Sequence, residues 1–382
     1  LSAFSAWPER RIFDKSGRQT WGIVLPRVTD PAIHHLYSPA HRKIDFPAAD
    51  WSFLIHVARN CAAAFESIHA AGHVVGDVNQ GGIFPALIKE RGLAYAVWNR
   101  RVTADIPATP WPPAGPFDTA LVRLPKARDE QDMTAHAVLS VLGPGGQLIV
   151  YGGNDEGIRS AAGMLQELTG AVETLATRGH GRVLATRRNA ADRLKDTLLS
   201  WRMMSPIEIA GKTRDWISYP GIFAAGRLDE GTQLLLGAMP ALTSRTRVLD
   251  YGCGSGVIGA AALAQQPGVV LDMLDSDTVA LEAARENVPG ARSVPGTRLA
   301  DTEYQAYAAI LSNPPLHQGA VEDHTLLERL VADAPSHLAP GGLLQIIVQH
   351  RLPLDRLFAQ HFGHVDIVAE NGRYRVWRAK RT

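Results

Sequence analysis

RVLDYGCGSG, residues 247–256, decides the fold. An apolar strand ends in an acid, turns through glycines 252, 254 and 256, and runs into GVIGAAALAQQ, which reads as a helix. Glycine at those three places permits a tight turn and lets a ligand approach the backbone closely. The helix that follows presents unpaired N–H groups, which suit an anionic group such as a carboxylate. Phosphate and dinucleotide loops share this G-x-G-x-G pattern, so a second feature is needed. Asp275 supplies it: an acid at the end of the next strand, about twenty residues on, can accept both hydroxyls of a ribose. To this point NAD and S-adenosylmethionine fit equally.

The strand–helix rhythm continues outward from that loop. VVLDMLDSD (269–277) reads as a strand, TVALEAARENV (278–288) as a helix, and AAILSNPP (308–315) as a strand and loop. TLLERLVADAPSHL (325–338) is a helix, GGLLQIIVQH (341–350) a strand, and VDIVAENGRYRVWRAKR (365–381) a closing antiparallel hairpin. LSNPPLHQG (311–319) separates the two cofactors. Asn-Pro-Pro at the carboxyl end of a strand lies where an open α/β sheet places its reaction site. A conjugated NH₂ group withholds its lone pair from an electrophile. The Asn313 side-chain carbonyl and the Pro314 main-chain carbonyl can each accept one amino hydrogen, holding the nitrogen and favouring the charge that develops on it. Pro314 and Pro315 stiffen the loop and remove competing N–H donors. Methyl transfer from S-adenosylmethionine to an amino nitrogen is therefore the expected chemistry.

Upstream, PATPWPPAGPF (107–117) carries five prolines in eleven residues and reads as a linker. After it come FDTALVRLP, a strand, DEQDMTAHAVLSVL, an amphipathic helix, and GPGGQLIVYGG, a turn and buried strand. GIRSAAGMLQEL is a second helix and RVLATRR a further strand, which gives the β-α-β-α-β order of a doubly wound sheet. LGPGGQLIVY (142–151) and LAPGGLLQIIV (338–348) are alike, which suggests duplicated sheets. The middle copy has no counterpart of DYGCGSG and is read as non-catalytic. Ahead of the linker, WSFLIHVARNCAAAFESIHAAGH (51–73) reads as a long helix and VVGDVNQGG (74–82) as a strand and loop.

Over its 382 residues the chain is 46% hydrophobic and 20% charged, the balance of a soluble globular protein of two or three domains. No apolar run reaches the roughly 18 residues of a membrane helix, and the start has no signal-peptide layout. Cys61 and Cys253 are too few and too far apart for a metal cluster, so no metal is expected. With 39 basic and 38 acidic residues, nucleic-acid contact must come from local patches. Two candidates are Arg178, Arg182, Arg187, Arg188, Arg193, Lys195 and Arg202 in the middle, and Arg373, Arg375, Arg378, Lys380 and Arg381 at the end.

PGIFAAGRLDEGTQLLL (220–236), VLDYGCGSGVIG (248–259), SNPPLHQG (312–319) and GRYRVWRA (372–379) together resemble the ribosomal RNA small-subunit guanine-N2 methyltransferases. FDTALVRLPK and GGNDEGIRSAAGML resemble that family's non-catalytic half, so the resemblance covers about 92–382. It implies a class I, Rossmann-like methyltransferase fold with a doubly wound, mainly parallel sheet and an antiparallel C-terminal strand, preceded by a degenerate copy. It implies that Asp229, Gly231 and Thr232 line the cofactor pocket, that Asp250, Gly252, Gly254, Gly256 and Asp275 bind S-adenosylmethionine, and that Asn313, Pro314, Pro315 and Leu316 form the reaction site. The implied partner is ribosomal RNA or the assembling subunit, and the expected protein is a cytoplasmic monomer. Three positions depart from the pattern. Leu316 stands where an aromatic ring usually stacks on the flipped base. Ala308-Ala309 replaces a strand Asp, and the residue contacting adenine falls near Gly296-Thr297. His317 is read as packed beneath the site.

Residues 7–84 resemble instead a truncated bacterial protein-kinase-like fragment, through WPERRIFDKSGRQTWGIVLPRV, LYSPAHRKIDFP and HVVGDVNQGGI. Asp77 would stand at the catalytic base with Asn79 beside it. No Gly-rich loop, strand Lys or Asp-Phe-Gly accompanies them, and Gly82 sits where a metal-binding Asn belongs, so the fragment is read as inactive. The expected division is 1–90, 92–200 and 205–382. Rival readings are methylation of DNA adenine or a protein glutamine amide, and a non-catalytic RNA-binding or pseudokinase-like module.

Overall fold

The computed structural model describes the strands at residues 10–13, 20–24 and 74–76 and, from 94 onward, all residues except 104–107, 179, 191–192, 315–316, 319–320 and 323. The expected helix at 51–73, Cys61, Asp77, Asn79 and Gly82 lie outside the described residues. The chain divides into Leu1–Ala70 and Ala71–Thr382. In the first unit, β1 (Arg10–Phe13) and β2 (Thr20–Val24) form an antiparallel pair.

The second unit holds two related sheets. The N-terminal sheet is built from β3 (Val74–Gly76), β4 (Phe117–Arg123), β5 (Leu142–Gly153), β6 (Glu173–Arg178) and β7 (Gly181–Arg187), in the order β3-β4-β5-β7-β6. Helices α1 (Arg128–Val141) and α2 (Ile158–Thr169) connect its strands. A hairpin of β8 (Met203–Ile209) and β9 (Lys212–Ser218) follows, then α3 (Glu230–Gly237). The C-terminal sheet contains β10 (Arg247–Tyr251), β11 (Val270–Asp275), β12 (Arg292–Pro295), β13 (Tyr307–Ser312), β16 (Leu338–Gln349), β17 (His364–Glu370) and β18 (Tyr374–Lys380). Its order is β12-β11-β10-β13-β16-β18-β17. Helices α4 (Val257–Gln265), α5 (Thr278–Asn287), α6 (His324–His337) and α7 (Asp355–Ala359) cover it, and β14 (His317–Gln318) pairs with β15 (Val321–Glu322) in the loop after β13.

β10, β11, β12, β13 and β16 run parallel, and β18 joins β16 antiparallel. Parallel strands covered on both faces are mostly apolar, and Val248, Leu249, Ile310, Leu311, Ile346 and Ile347 are all buried. Strand order reverses between β10 and β13, so the crevice at their carboxyl ends is the topological switch point.

The two sheets are copies in detail. β4-β5-β7-β6 repeats β13-β16-β18-β17, and both parallel pairs carry a register shift after their first residue pair. Each Pro-Gly-Gly turn is tied down by an arginine. Arg188 and Gly145–Gly146 exchange main-chain bonds while its guanidinium reaches Leu142 O; Arg381 does the same with Gly341–Gly342 and Leu338 O. The position of β10 is taken in the N-terminal sheet by β3, which comes from ahead of the Pro-rich linker and lies within the second unit.

Two features differ from the sequence reading. RVLATRR does not continue a parallel rhythm: β7 runs antiparallel to β5 and to β6, a strand unnoticed in the sequence. The β8–β9 hairpin was likewise missed. Its turn is Ala210-Gly211, both with positive φ (51° and 74°), and alanine there hides the usual Asn-Gly or Asp-Gly signal.

The halves share a small core of Met133 from α1, Trp201, Ile217, Tyr219 and Ile222, and Val279, Ala280 and Ala283 from α5. Beside it Arg100, 7% exposed, donates to Asp277 Oδ1 at 2.8 Å and to Pro220 O at 2.9 Å, and lies 3.3 Å from Glu130. Main-chain bonds Val102 N–Ser276 O (2.7 Å) and Thr278 N–Arg100 O (3.1 Å) complete this joint.

Candidate active site

The glycine loop is shaped from both sides. Gly254 has φ of 52°, and no atom lies within 4 Å of where a Cβ would stand, so the space above the loop is open. Gly256 caps α4 with φ of 89°, and a Cβ there would meet Val288 Cγ2 at 2.9 Å, so this turn is closed to any side chain. Trp216 of β9 braces the loop by donating from Nε1 to Ser255 Oγ at 2.9 Å, while Asn287 bonds Ser255 O and both main-chain groups of Ile217. Sequence alone could not pair Trp216 with Ser255, because nothing local marks so distant a contact.

Asp275 lies at the end of β11 beside this loop. Its Oδ2 accepts the Gly254 N–H and its Oδ1 the Asp277 N–H, both at 2.8 Å. Burial pushes its carboxyl up to about 6, against the pull of those N–H bonds. Each oxygen keeps further lone-pair capacity, so the clamp orients the carboxylate without exhausting it. Asp277 in turn caps α5 and takes the Arg100 guanidinium. The acceptor is thus held through a chain of bonds that begins in the N-terminal half, a link that no motif in the sequence announces.

Asp250 does not lie on the loop surface. It is completely buried beneath the loop, where Oδ2 accepts the Gly259 N–H at 2.8 Å and Oδ1 has no partner. Burial pushes its carboxyl up to about 7. An oriented carboxylate with lone pairs to spare, beside an open glycine loop, fits a cofactor that brings hydroxyl donors.

The register Tyr251–Ser312 between β10 and β13 sets Asn313 level with Gly252, next to the loop. Ser312 Oγ donates to Tyr251 O at 2.7 Å and fixes the strand ends together. Asn313 Nδ2 donates to Asp229 Oδ2 at 3.1 Å and to Thr232 Oγ1 at 2.9 Å. Asp229 is also the N-cap of α3, accepting from Thr232 N at 2.9 Å. Gly231 is buried between them; a Cβ there would stand 3.0 Å from Asp229 Oδ2 and 3.4 Å from the Tyr374 ring. The structure therefore brings Asp229, Gly231 and Thr232 to Asn313. Pro314 is buried, Pro315 and Leu316 lie outside the described residues, and so does the side chain of His317.

Thr297 O accepts from Tyr251 Oη at 2.7 Å, and Gly296 N donates to Asp275 O at 3.0 Å, which places that pair beside Asp275. The basic patches divide. Arg373, Arg375, Arg378 and Arg381 hold Glu230, Glu370, Gln345 and Leu338 O, so the C-terminal series is largely engaged in β-sheet packing. In the middle patch Arg188 is engaged with its turn and Arg187, though exposed, also donates to Gly145 O at 3.0 Å, while Arg193 is exposed.

The family described as "Methyltransferase small domain" matches residues 214–378, and "Methyltransferase small domain N-terminal" matches 99–191. The chain is 35% identical to the ribosomal RNA small subunit methyltransferase C of Pseudomonas aeruginosa over 71% of its own length and 81% of that protein's. It is 33% identical to the enzyme of the same name from Shewanella pealeana, over 68% and 76%. Among solved structures it superposes on a T. thermophilus 16S rRNA N2-guanine methyltransferase, in complex with AdoMet and guanosine, with a TM-score of 0.71. That pair is 22% identical and aligned over 81% of this chain and 88% of the other, which establishes a shared fold.

Proposed function

The chain belongs to the ribosomal RNA small subunit methyltransferase C family, and on that premise we propose that it methylates the exocyclic N2 of a guanine in small-subunit ribosomal RNA, using S-adenosylmethionine. The fold is that of a class I methyltransferase. The observation that carries the chemistry is the Asn313 amide, held by its nitrogen so that its carbonyl is the end left for a substrate.

S-adenosylmethionine, when bound, would supply an electrophilic methyl group whose bond to sulfur breaks as the N–C bond forms, its electron pair staying on sulfur. Gly252, Gly254 and Gly256 give it a loop with no side chain in the way, and Asp275 offers the ribose its acceptor. Asn313 Oδ1 and the Pro314 carbonyl each take one hydrogen of the guanine NH₂. As the nitrogen gives up conjugation and becomes tetrahedral and positive, both contacts strengthen. The surplus proton leaves for solvent once the N–C bond has formed.

We read residues 92–200 as the degenerate copy, 205–382 as the catalytic domain and the front segment, although its β3 completes the N-terminal sheet, as dispensable for transfer. The protein is proposed to act as a cytoplasmic monomer on ribosomal RNA or the assembling subunit; no helix among the described residues is long and apolar enough to cross a membrane. Incubation with methyl-labelled S-adenosylmethionine and separated 16S rRNA, 23S rRNA, DNA and protein tests the reading. Label is expected in 16S rRNA as N2-methylguanine; label in adenine or a glutamine amide instead would transfer the chemistry to a different substrate.

In our reading, RNA contact lies on the middle basic patch. Replacing Arg187 and Arg193 by Gln is expected to weaken RNA binding and to reduce the slope of log K against log salt by about 1.4–1.8. An unchanged slope, read by filter binding across a salt series, would leave these side chains as solvated surface.

A further inference from the structure

An asparagine amide can lie two ways in the same space, and the two present opposite chemistry. With its nitrogen toward the substrate, Asn313 would offer hydrogens to a group that itself brings hydrogens. The cluster around Asp229 decides the matter. Asp229 Oδ2 receives the Thr232 N–H at 2.9 Å, the Thr232 hydroxyl at 3.4 Å and one Asn313 amide hydrogen at 3.1 Å. Because the hydroxyl spends its only hydrogen on Asp229, Thr232 Oγ1 has lone pairs alone to give Asn313, and it accepts the second amide hydrogen at 2.9 Å. A reversed amide would set Oδ1 against the half-buried Asp229 carboxylate, acceptor facing acceptor, beside the buried Thr232.

We infer that Asp229, acting through Thr232 and Asn313, is a positioning residue for methyl transfer that fixes the polarity of the Asn313 amide. The site is thereby restricted to acceptor groups that arrive with two hydrogens, a primary exocyclic amine, and is closed to ring carbonyl oxygens. This rests on the amino-methylation reading above and gives Asp229 and Thr232 a task separate from lining the cofactor pocket.

The test uses the full chain and the substitutions Asp229→Asn, Thr232→Val, Thr232→Ser and Asn313→Ala. Asparagine is as good an N-cap as aspartate, so Asp229→Asn preserves the start of α3 while allowing its own NH₂ to face Asn313. Single-turnover methylation of 16S rRNA at saturating S-adenosylmethionine is expected to slow by about tenfold in Asp229→Asn, with cofactor affinity by calorimetry within about twofold of wild type. Thr232→Val is expected to behave likewise and Thr232→Ser to recover most of the rate, a pair that decides the question even if Asp229→Asn folds poorly. In an Asn313→Ala background, Asp229→Asn should change the rate by less than about twofold, because no amide is left to orient.

Three results overturn the inference. Asp229→Asn could weaken cofactor binding while leaving the saturated rate intact, which would return Asp229 to the cofactor pocket. It could cost as much without Asn313 as with it. It could leave both rate and affinity unchanged while wild type methylates normally, which sinks this inference alone. Wild-type protein that labels no RNA amino group would sink the parent reading, and this one with it.

Discussion

Asn313→Ala is expected to lower the single-turnover rate of methyl transfer by about 10²–10³-fold while leaving cofactor affinity within about twofold. The size follows from when the contact matters. In the ground state the guanine N2 hydrogens could be satisfied by water, so the Asn313 carbonyl adds little to binding. In the transition state the nitrogen carries developing positive charge, and an acceptor already held in place by Asp229 and Thr232 needs no reorganisation. The loss should therefore fall on kcat rather than on the Kd of either substrate. Rapid-quench methylation at saturating cofactor and RNA measures it; near-normal turnover would reduce Asn-Pro-Pro to a structural turn and remove the main support for amino-methylation.

Asp275→Ala should weaken S-adenosylmethionine binding by about 1–3 kcal/mol, because the ribose hydroxyls lose their acceptor while the Gly254 and Asp277 N–H groups lose theirs. Titration calorimetry reads it directly, and unchanged affinity removes Asp275 from the site. The same carboxyl sets a pH signature. Burial raises it to about 6, and the ionised form is the one that accepts, so affinity is full above that pH and falls as pH drops through it. Asp275→Asn should abolish the inflection. Folding stability responds in the opposite sense: for Asp275 and Asp250, raised to about 6 and about 7, the contribution is present in acid and lost as pH rises through those values. Acid should thus favour these two groups' share of the empty fold while loosening its hold on cofactor.

The C-terminal sheet was legible because its signals are local. RVLDYGCGSG is strand, loop and helix start in ten consecutive residues, and LSNPP ends its strand with Asn313 attached. The duplication was legible for the same reason, since a Pro-Gly-Gly turn before an apolar run is recognisable wherever it recurs. What escaped was non-local or of opposite sign. Arg100 and Asp277 are 177 positions apart, and an arginine beside a linker gives no hint that it will be buried against a helix cap. Asp250 reads like a ligand-facing acid because it opens the glycine loop, yet alternation along β10 turns it inward, under α4. β6 escaped because ETLATR is a short edge strand whose residues 173–177 are all exposed, so no buried apolar face marks it.

The Arg100 joint has a thermodynamic corollary. The buried guanidinium of Arg100 loses Asp277 and Pro220 O if the C-terminal half opens alone, and Asp277 loses Arg100 if the N-terminal half does; breaking such a buried pair is strongly destabilising. The two halves should consequently melt in one calorimetric transition. Because that transition is common to both, ligand held by one half protects the other: at a hundredfold excess over Kd, S-adenosylmethionine adds about 2.7 kcal/mol to the whole. Amide hydrogens in β4 and β5, which touch no part of the glycine loop, should then exchange more slowly when cofactor is present. The copy without a ligand loop would be reporting, in its own exchange rates, the occupancy of its twin.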